Sequence, residues 1–317
     1  MSFRDPEEFK FPTRRPWLLL LVLLVVGGLV LTRYRHGRTP PAAAPDAPPQ
    51  RAASAIAPAL QPGLPGSPRP VAGPAPEVSA LVARARACES RGALAEARQG
   101  YLNALECPAS ADARADIEAS LGRVDAELVL TPLAMPEKVD YLVKPGDSLD
   151  KIAKTLNASR RLIQRSNQIK DANRIRPGDV LRVLKAQFTI LVSKSQNDMI
   201  VYMNDTFFKR YRVATGKFGK TPLGTFVVSE QIVEPTWWRP DGKEIPYGDK
   251  ENILGTRWMA LKATGDTPDV RGYGLHGTWD DASVGRPVSQ GCVRMRNSDV
   301  EELFDIMPVG TQVVIAE

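Results

Sequence analysis

The chain offers one pair of residues whose types and spacing could support covalent catalysis. Of its 317 residues only two are histidine, His36 and His276, and three are cysteine, Cys88, Cys107 and Cys292. A thiol becomes a useful nucleophile when a nearby imidazole takes its proton and raises the thiolate fraction. His36 directly follows a long apolar run, which leaves His276 as the imidazole of a folded domain, with Cys292 the nearest cysteine to it. Cys292 and His276 are therefore the candidate nucleophile and base, although the pair alone favours a buried structural cysteine and a satisfied histidine.

Glycines beside this pair favour catalysis over the alternative of a buried structural cysteine, which is common because free cysteine is among the most buried residue types. Gly277 follows the histidine, and Gly291 precedes the cysteine, where a missing side chain lets a substrate approach the backbone closely. The two stretches read Leu275-His276-Gly277-Thr278 and Ser289-Gln290-Gly291-Cys292-Val293-Arg294-Met295.

Together the two stretches resemble the catalytic motif of the L,D-transpeptidase (YkuD-like) family of peptidoglycan enzymes. The similarity covers about residues 187 to 316. The further stretches that carry it are Val213-Ala214-Thr215-Gly216-Lys217, Lys220-Thr221-Pro222-Leu223-Gly224-Thr225-Phe226, Asn252-Ile253-Leu254-Gly255-Thr256-Arg257-Trp258 and Asn297-Ser298-Asp299-Val300-Glu301-Glu302-Leu303-Phe304. One position departs from the pattern, because many members carry histidine where this chain has Gln290, and His276 is then the sole base.

The resemblance implies acyl transfer through a thioester. Cys292 would attack the bond after the third, L-centred residue of a peptidoglycan stem peptide and release the terminal D-alanine. An amine of a neighbouring stem or of a wall-linked protein would then accept the acyl group. Water as the acceptor would make the same site an L,D-carboxypeptidase, and a catalytically inactive glycan-binding scaffold is a third interpretation. No cofactor is expected. Zinc catalysis is disfavoured because a zinc site needs three or four ligands and the predicted folded part has one histidine.

The order of the two residues disfavours a rival class of thiol enzyme. His276 precedes Cys292 by sixteen positions. Papain-like peptidases and wall hydrolases of the amidase type place the cysteine well before the histidine instead. Acyl transfer of the L,D-transpeptidase kind therefore remains the preferred interpretation.

The same resemblance implies roles for the neighbours of the nucleophile. A third group normally orients a catalytic histidine, and in the family this is a backbone carbonyl, here that of Gly277. The backbone amides of Gly291 and Cys292 would hold the oxyanion, and Ser289 would brace their loop. Arg294 either binds a substrate carboxylate through two guanidinium nitrogens or forms a structural ion pair.

The elements that must position this site are mostly strands. From residue 187 onward, short apolar runs alternate with Gly, Pro, Asn and Asp, which is typical of a mainly β domain. Two of the strands, at residues 189–192 and 199–203, are predicted to pair. Ser298 and Glu301 form a predicted capping box for one helix after the nucleophile.

A long Gly- and Pro-rich insertion in this domain carries three aromatic residues, Trp237, Trp238 and Tyr247. Long loops without regular structure are more often lids or substrate walls than filler. We expect these side chains either to line the channel for the donor peptide or to pack the loop itself, and the sequence favours neither.

Residues 139–185 predict a module of strand, two helices and strand. Gly146, Asp147 and Ser148 make a turn after the first strand, and either Asp147 or Ser148 caps the next helix. The module closely resembles a LysM domain, a fold that binds N-acetylglucosamine-containing glycans such as peptidoglycan. In that family the ligand lies along the loop after the first strand and the loop before the second. The resemblance thus implies glycan binding by Gly146, Asp147 and Ser148.

Residues 77–128 are rich in Ala, Leu, Arg and Glu and predict a helical hairpin followed by a third helix. One stretch resembles the second helix of a tetratricopeptide repeat, but a single period is too few for a solenoid. We interpret the segment as a spacer or, alternatively, as the binding site of a protein partner.

The first 76 residues predict a membrane anchor and a linker. Residues 17–32 form an uncharged apolar run, and the predicted anchor at 17–34 is close to the length of about 20 residues that a transmembrane helix needs. A cleaved signal peptide is the alternative, but no small-residue cleavage site follows. Residues 1–16 would be a cytoplasmic tail, and residues 35–76, rich in Pro and Ala, an extended linker. The catalytic part would then lie in the periplasm or cell wall, tethered to the inner (cytoplasmic) membrane.

Length and charge agree with this multidomain arrangement. The 317 residues suffice for two or three domains, and the formal net charge of +6 suits an anionic surface such as a cell wall. Nucleic acid is not an expected partner, because no Lys/Arg stripe interleaved with aromatic residues is present. We therefore expect a mainly β catalytic domain at residues 187–316, a LysM module, a helical segment and a single N-terminal transmembrane helix.

Overall fold

The computed structural model describes residues 76–317, which begin with three helices. These are α1 (Pro76–Ser90), α2 (Leu94–Glu106) and α3 (Ala111–Leu130). Gly100 allows α1 and α2 to approach closely, since a Cβ at this position would lie 2.9 Å from the Cβ of Ala85. The side chain of Ser110 starts α3 by accepting a hydrogen bond from the amide of Ala113. The arrangement is the expected hairpin with a third helix.

The N-terminal predictions fall outside the described residues. They are the cytoplasmic tail at 1–16, the transmembrane helix at 17–34 and all but the last residue of the linker at 35–76. Within residues 76–317, none of the helices combines the length and the apolar character needed to cross a membrane. The anchor therefore stays a prediction.

The next unit is the expected strand-helix-helix-strand module. Its elements are β1 (Lys138–Leu142), α4 (Leu149–Leu156), α5 (Arg160–Ser166) and β2 (Val180–Leu184). The two strands are antiparallel, and Ser148 and Ser159 cap the two helices by accepting hydrogen bonds from the amides three residues further on. Ile152, Ile163 and Val183 belong to an apolar cluster of the module's own. The LysM fold is confirmed.

The rest of the chain is built on one large sheet. Its eight strands are β3 (Phe188–Ser193), β4 (Asp198–Met203), β5 (Thr206–Arg212), β7 (Gly224–Val233), β10 (Arg257–Ala263), β11 (Gly274–His276), β13 (Val293–Arg294) and β14 (Gln312–Ala316). They lie in the order β13-β11-β10-β7-β14-β3-β4-β5. Neighbours are antiparallel except for the parallel pairs β14 with β3 and β11 with β13. The mainly β catalytic domain is confirmed, as is the pairing of β3 with β4.

Smaller elements surround this sheet. Two short strand pairs join β6 (Thr215–Gly216) to β12 (Pro287–Ser289) and β8 (Trp237–Trp238) to β9 (Glu244–Ile245). Helix α6 (Asn297–Ile306) follows β13 and buries Val300, Leu303 and Phe304 in the apolar core. Because β12 and α6 lie on either side of Cys292 in the chain, they fix the path of the nucleophile's loop.

The predicted capping box of α6 is wrong. The N-cap of this helix is Arg296, whose side chain makes no capping hydrogen bond, so Ser298 and Glu301 both lie inside the helix. The helix starts earlier than expected because Asn297 takes a helical conformation, with its side-chain oxygen bonded to the amide of Thr256 rather than to an amide of α6.

Ion pairs fasten both the helices and the LysM module to the sheet. Arg210 of β5 donates to Glu118 of α3 at 2.8 Å and also pairs with Asp198 of β4. On the other side, Arg165 of α5 lies 2.7 Å from a carboxylate oxygen of Asp305 in α6. One apolar cluster includes residues of α1, of β14 and of the elements between them. The helical segment is thus packed against the catalytic domain.

Candidate active site

The two catalytic candidates meet at one end of the sheet, on neighbouring strands. β11 and β13 are parallel, with Leu275 opposite Val293, and His276 is the last residue of β11. Cys292 directly precedes β13, and the backbone amide of Gly274 in β11 lies close enough to lower the pKa of its thiol. Extending the β13 register by one residue puts Cys292 opposite Gly274, and since side chains alternate along strands, this register places it on the face of His276. A rise of about 3.3 Å per residue and a strand spacing of about 4.8 Å put their Cα atoms about 8 Å apart.

His276 is buried and held in one tautomer. Its Nδ1 lies 2.6 Å from the carbonyl oxygen of Gly277. Because a carbonyl oxygen can only accept, Nδ1 carries the proton of this bond, and in the neutral ring Nε2 holds the free lone pair. Trp258 stacks on the ring, with centroids 5.7 Å apart and an angle of 29° between the planes. The bond between Nδ1 and the Gly277 carbonyl is the contact that the family resemblance implied.

Burial also decides the charge of this histidine. It lowers the pKa of His276 to about 4, and the carbonyl of Gly277 opposes that effect. The guanidinium of Arg294 lowers the pKa further, while the carbonyl of Leu254 raises it. The imidazole is therefore neutral at pH 7 and free to accept a proton.

Cys292 is partly exposed and uncharged at rest. Burial raises the pKa of its thiol, against the opposing effects of the Gly274 amide and of Arg294. The thiol donates to the carbonyl oxygen of Gly272, with Sγ 3.6 Å from the oxygen. This corrects the expectation that His276 raises the resting thiolate fraction, because an imidazole with a pKa near 4 offers no positive charge to a thiolate at pH 7.

The loop of the nucleophile is tied by two hydroxyl groups. Ser289 Oγ donates to the carbonyl oxygen of Cys292 at 2.6 Å and accepts from the amide of Gly291 at 3.0 Å, so it braces the loop as predicted. Thr221 Oγ1 donates to the carbonyl oxygen of Gly291 at 2.8 Å. Because the Gly291 amide is already bonded to Ser289, the predicted oxyanion role of that amide does not fit this geometry. Of the two amides that were predicted to hold the oxyanion, only that of Cys292 stays a candidate.

Only glycine fits at position 291. Its φ of +139° lies in the region that favours glycine. A Cβ there would lie 2.7 Å from Cε1 of Tyr273 and 3.2 Å from the carbonyl oxygen of Lys220. The residue before the nucleophile is therefore enclosed by Tyr273 on one side and backbone on the other.

Arg294 makes no ion pair within residues 76–317, since none of their carboxylates lies within 4.0 Å of its guanidinium. Its Nε is buried without a hydrogen-bond partner. The backbone of Arg294 is held by two hydrogen bonds with Ala214, at 2.8 and 2.9 Å. The alternative of a structural ion pair is thus not realised in the described part of the chain.

The Gln290 side chain, at the position that departs from the family pattern, is exposed. Its Oε1 accepts from Nζ of Lys220 at 3.4 Å. No second imidazole is present in the described part of the chain, so His276 remains the predicted base.

The three glycan-binding candidates of the LysM module have structural contacts of their own. Asp147 Oδ2 accepts from the amide of Lys144 at 2.8 Å and from the hydroxyl of Tyr141 at 2.9 Å, and these bonds lower the pKa of Asp147. Ser148 caps α4, and the carbonyl of Gly146 accepts from Nζ of Lys151 at 2.7 Å. Turn formation accounts for these contacts, and glycan binding by Gly146, Asp147 and Ser148 stays a prediction.

The aromatic residues of the insertion make different contacts, and whether they line a channel for the donor peptide stays a prediction. Trp237 and Trp238 form β8, and Trp238 is 66 % exposed. Tyr247 packs instead against Trp279, three residues after the base, with ring centroids 6.2 Å apart. Trp279 is 56 % exposed. The insertion therefore reaches the chain segment that carries His276.

Three residues at the site were not singled out from the sequence: Thr221, Trp258 and Asn297. Each contacts a catalytic loop, through the bond of Thr221 to Gly291, the stacking of Trp258 on His276, and the bond of Asn297 to the amide of Thr256 at 3.1 Å. All three lie in the stretches that carry the family resemblance. That resemblance was the available signal, since none of the three residue types indicates this chemistry by itself.

The arrangement of a thiol, an oriented neutral imidazole and a glycine-rich loop at a sheet edge is that of a cysteine-dependent acyl-transfer enzyme. Family models agree: the L,D-transpeptidase catalytic domain (YkuD) matches residues 187–315, and the LysM domain matches residues 141–184. The chain belongs to the L,D-transpeptidase family.

Two relatives in sequence support this membership. A putative L,D-transpeptidase of Bacillus subtilis (strain 168), YqjB, is 40% identical over 129 residues, which cover 40% of this chain and 70% of the relative. Another from the same strain, YkuD, is 32% identical over 182 residues, covering 55% of this chain and 97% of the relative. Among solved structures, L,D-transpeptidase 3 from Mycobacterium tuberculosis matches at 15% identity with a TM-score of 0.34, over 44% of this chain and 75% of that one.

Proposed function

We propose that this L,D-transpeptidase cross-links peptidoglycan stem peptides through a thioester on Cys292, with His276 as the base. The observation that carries the proposal is the 2.6 Å bond between Nδ1 of His276 and the carbonyl of Gly277, at the end of β11, which pairs with the strand that begins directly after Cys292. That bond leaves Nε2 as the proton acceptor.

The first half of the reaction transfers the stem peptide to sulfur. Both partners are neutral at rest, so the thiol proton passes to Nε2 of His276 as Sγ attacks the carbonyl carbon of the third stem residue, which is joined to the terminal D-alanine. The carbon–sulfur bond forms, the carbon–nitrogen bond breaks, and the imidazolium returns the proton to the amine of the leaving D-alanine. The carbonyls of Gly277 and Leu254, which raise the pKa of His276, stabilise that transient cation.

The second half returns the enzyme to its starting state. An amine of another stem, or of a wall-linked protein, attacks the thioester carbon and loses a proton to His276. The carbon–sulfur bond breaks, and the thiolate recovers its proton from the imidazolium. Water in place of the amine gives a shortened stem, which is L,D-carboxypeptidase activity.

Charge complementarity supports a further assignment, the binding of a stem carboxylate by Arg294. This guanidinium lies close enough to lower the pKa values of both His276 and Cys292. Its lack of a carboxylate partner in the described residues leaves it available for a substrate, and Arg binds carboxylates through two parallel hydrogen bonds.

Mass spectrometry of products tests the catalytic proposal. The protein is mixed with disaccharide-tetrapeptide muropeptides, and a Cys292-dependent dimer is the expected product. A shortened stem alone would indicate carboxypeptidation, and no change that depends on Cys292 would favour the inactive scaffold. Cys292→Ala is the negative control, and Cys107→Ala is the matched thiol control, since Cys107 is the C-cap of α2 and its thiol donates to the carbonyl of Asn103.

Reaction with a carbapenem gives a second readout that needs no acceptor. The proposal expects a covalent adduct on the wild type and on Cys107→Ala, and none on Cys292→Ala. An adduct that persists in Cys292→Ala would contradict the assignment of the nucleophile.

The setting of the enzyme is also a proposal. The LysM module supports binding to peptidoglycan, and we propose that residues 17–34 anchor the chain in the inner membrane with the catalytic part outside the cytoplasm. Membrane fractionation of the full chain, with protease added to spheroplasts, tests this arrangement. A full-length chain recovered in the soluble fraction would contradict it.

The helical segment is best explained as a support for the catalytic domain. Arg210 joins β5 to α3 through Glu118, and a Cβ on Gly122 of α3 would lie 2.9 Å from Cγ of Lys209. These contacts support a spacer that is packed on the sheet edge.

A further inference from the structure

We propose that Asn297 is a positioning residue for the catalytic base, and that it acts by holding the carbonyl that orients His276. The inference rests on the proposed role of His276. Asn297 is the first residue of α6 and lies five positions beyond the nucleophile in the chain.

The side-chain oxygen of Asn297 is wedged between two backbone segments. Oδ1 accepts hydrogen bonds from the amide of Thr256 at 3.1 Å and from its hydroxyl at 3.4 Å. It also occupies the space that a Cβ on Gly255 or on Gly277 would need, well inside the 3.0 Å limit of real Cβ contacts. Gly255 has a φ of +65°, which again favours glycine. Two glycines thus make room for one amide oxygen.

Gly277 is the link from this wedge to the chemistry. Its carbonyl oxygen accepts the Nδ1–H of His276 at 2.6 Å, and its amide donates to the carbonyl of Arg257 at 3.2 Å. With Asn297 filling the space beside its Cα, the Gly277 peptide has little freedom to rotate. A rotated peptide would withdraw the acceptor from Nδ1 and permit the tautomer with the proton on Nε2, which cannot act as the base.

Helix capping does not explain the position of this side chain. An asparagine at a helix start usually accepts from amides of its own first turn, but the N-cap here is Arg296 and Oδ1 of Asn297 bonds instead to Thr256, 41 positions earlier. The oxygen is thus directed at the backbone that surrounds His276.

Two substitutions separate positioning from simple stability. Asn297→Ala removes the acceptor and the wedge, so we expect the second-order rate of carbapenem acylation to fall about 100-fold, the scale of a 1 Å displacement of a catalytic group. Asn297→Asp keeps an acceptor of the same shape and adds a negative charge near the base, which favours the imidazolium. We expect Asn297→Asp to acylate within about fivefold of wild type at pH 8, with the acid limb of its rate moved to higher pH.

Nitrogen-15 NMR of the full chain gives a readout that does not depend on turnover. With only two histidines, the His276 signals can be assigned by comparison with His36→Gln. The wild type should show one tautomer with a protonated Nδ1, Asn297→Asp should keep it, and Asn297→Ala should show a mixture or the other tautomer. Ser298→Ala, an exposed neighbour, is the matched control and should change neither rate nor tautomer.

The outcomes are distinguishable from those of the catalytic proposal. A wild-type tautomer and a wild-type acylation rate in Asn297→Ala would overturn the inference. An acid limb of the rate at its wild-type pH in Asn297→Asp would also overturn it. The Asn297→Asp measurement still tests the inference if Asn297→Ala does not fold. A wild type that forms no Cys292 adduct would overturn the catalytic proposal, while the NMR comparison would still test whether Asn297 holds the ring.

Discussion

The two ends of the eight-stranded sheet are held by different forces. At the β5 end charged groups dominate, since Arg210 pairs with both Glu118 and Asp198, and Lys209 pairs with Glu302. At the β13 end, the contacts of the nucleophile and the base are made by glycines, backbone carbonyls, hydroxyl groups and one aromatic ring. Within the described residues, Arg294 is the one charged side chain that shifts the pKa of either group.

This difference shows why the resting site is neutral. A carboxylate beside His276 would raise its pKa and favour the imidazolium, which cannot accept the thiol proton. The charges that dock α3 are at the far edge of the sheet, six strands away from β11 in the sheet order. Ion pairs thus attach α3 to the sheet at the β5 end. At the other end, the absence of ion pairs among the described neighbours of His276 keeps the imidazole neutral and able to accept a proton.

The largest effect is expected from adding one methyl group at the catalytic end. Gly291→Ala must move Tyr273 or the nucleophile's loop, because its Cβ would lie 2.7 Å from the Tyr273 ring. We expect the carbapenem acylation rate to fall by about 100-fold or more, since a displacement near 1 Å can cost that much.

The control for this substitution is Gly242→Ala in the β8–β9 hairpin. Gly242 has a φ of +85° but no atom within 4 Å of its Cβ position, so it isolates the backbone cost from the clash. We expect it to lose stability and to keep its acylation rate. Equal loss of rate in both variants would show that packing against Tyr273 is not what matters.

The second prediction concerns pH. Since burial lowers the pKa of His276 to about 4, below its unfolded value near 6.5, the neutral base persists well into acid. We expect the acylation rate to stay level from pH 7 down to about 5 and to fall tenfold per unit below about 4. On the alkaline side the rate should not fall near pH 8, because the Cys292 pKa is raised.

The same shift has a stability consequence with a fixed sign. The unfolded chain binds a proton at His276 below pH 6.5, whereas the folded chain does so only near 4. This group therefore contributes stability that is present above pH 6.5 and lost as the pH falls through 4. A rate limb near pH 6.5 would contradict both statements and indicate an exposed or repositioned imidazole.

At the opposite end, the third prediction is a loss of stability without a loss of activity. Glu118→Gln keeps the shape of the side chain but removes one of the two charges that face Arg210, and the Glu118 side chain is only 8% exposed. We expect the free energy of unfolding to fall by about 1 to 2 kcal/mol, measured by urea denaturation, with the acylation rate unchanged within twofold.

A surface ion pair in the helical segment provides the control. Glu96 lies 3.8 Å from Arg91, and both side chains are more than half exposed. Glu96→Gln should change the free energy of unfolding by less than about 0.5 kcal/mol. If Glu118→Gln lowers the acylation rate as well, the two ends of the sheet are coupled and the contrast between them is wrong.

The parts that the sequence predicted are those in which the signal is local. The pairing of β3 with β4 and the order of strands and helices in the LysM module follow from periodic apolar runs. The contacts that were missed join distant positions: Glu118 to Arg210 spans 92 residues and Asn297 to Thr256 spans 41. The predicted capping box at Ser298 and Glu301 failed for the same reason. The side chain of Asn297 bonds to the distant Thr256, and the helix begins at Asn297, before Ser298.

The smallest expected effect concerns backbone strain, which also differs between the two ends. Near β5, the non-glycine residues with positive φ are Asn197, Asn204 and Asp205, types that tolerate this conformation. At the catalytic end such residues include Glu234 and Phe218. Phe218 has a φ of +55° in the turn that contacts β12, and it is 85 % exposed. A bulky residue there costs about 1 to 2 kcal/mol.

Phe218→Asn should therefore raise the free energy of unfolding by about 1 kcal/mol, because asparagine accepts the left-handed conformation more readily and an exposed ring contributes little packing. Thermal or urea denaturation measures the change.

Asn157→Ala, at the left-handed C-cap of α4, is the reverse control and should lower stability by a similar amount. Unchanged or lower stability in Phe218→Asn would mean that the ring packs in solution after all. A third outcome is higher stability and unchanged carbapenem acylation, but slower transfer to muropeptide acceptors. That result would show that the strained Phe218 ring helps to bind the acceptor.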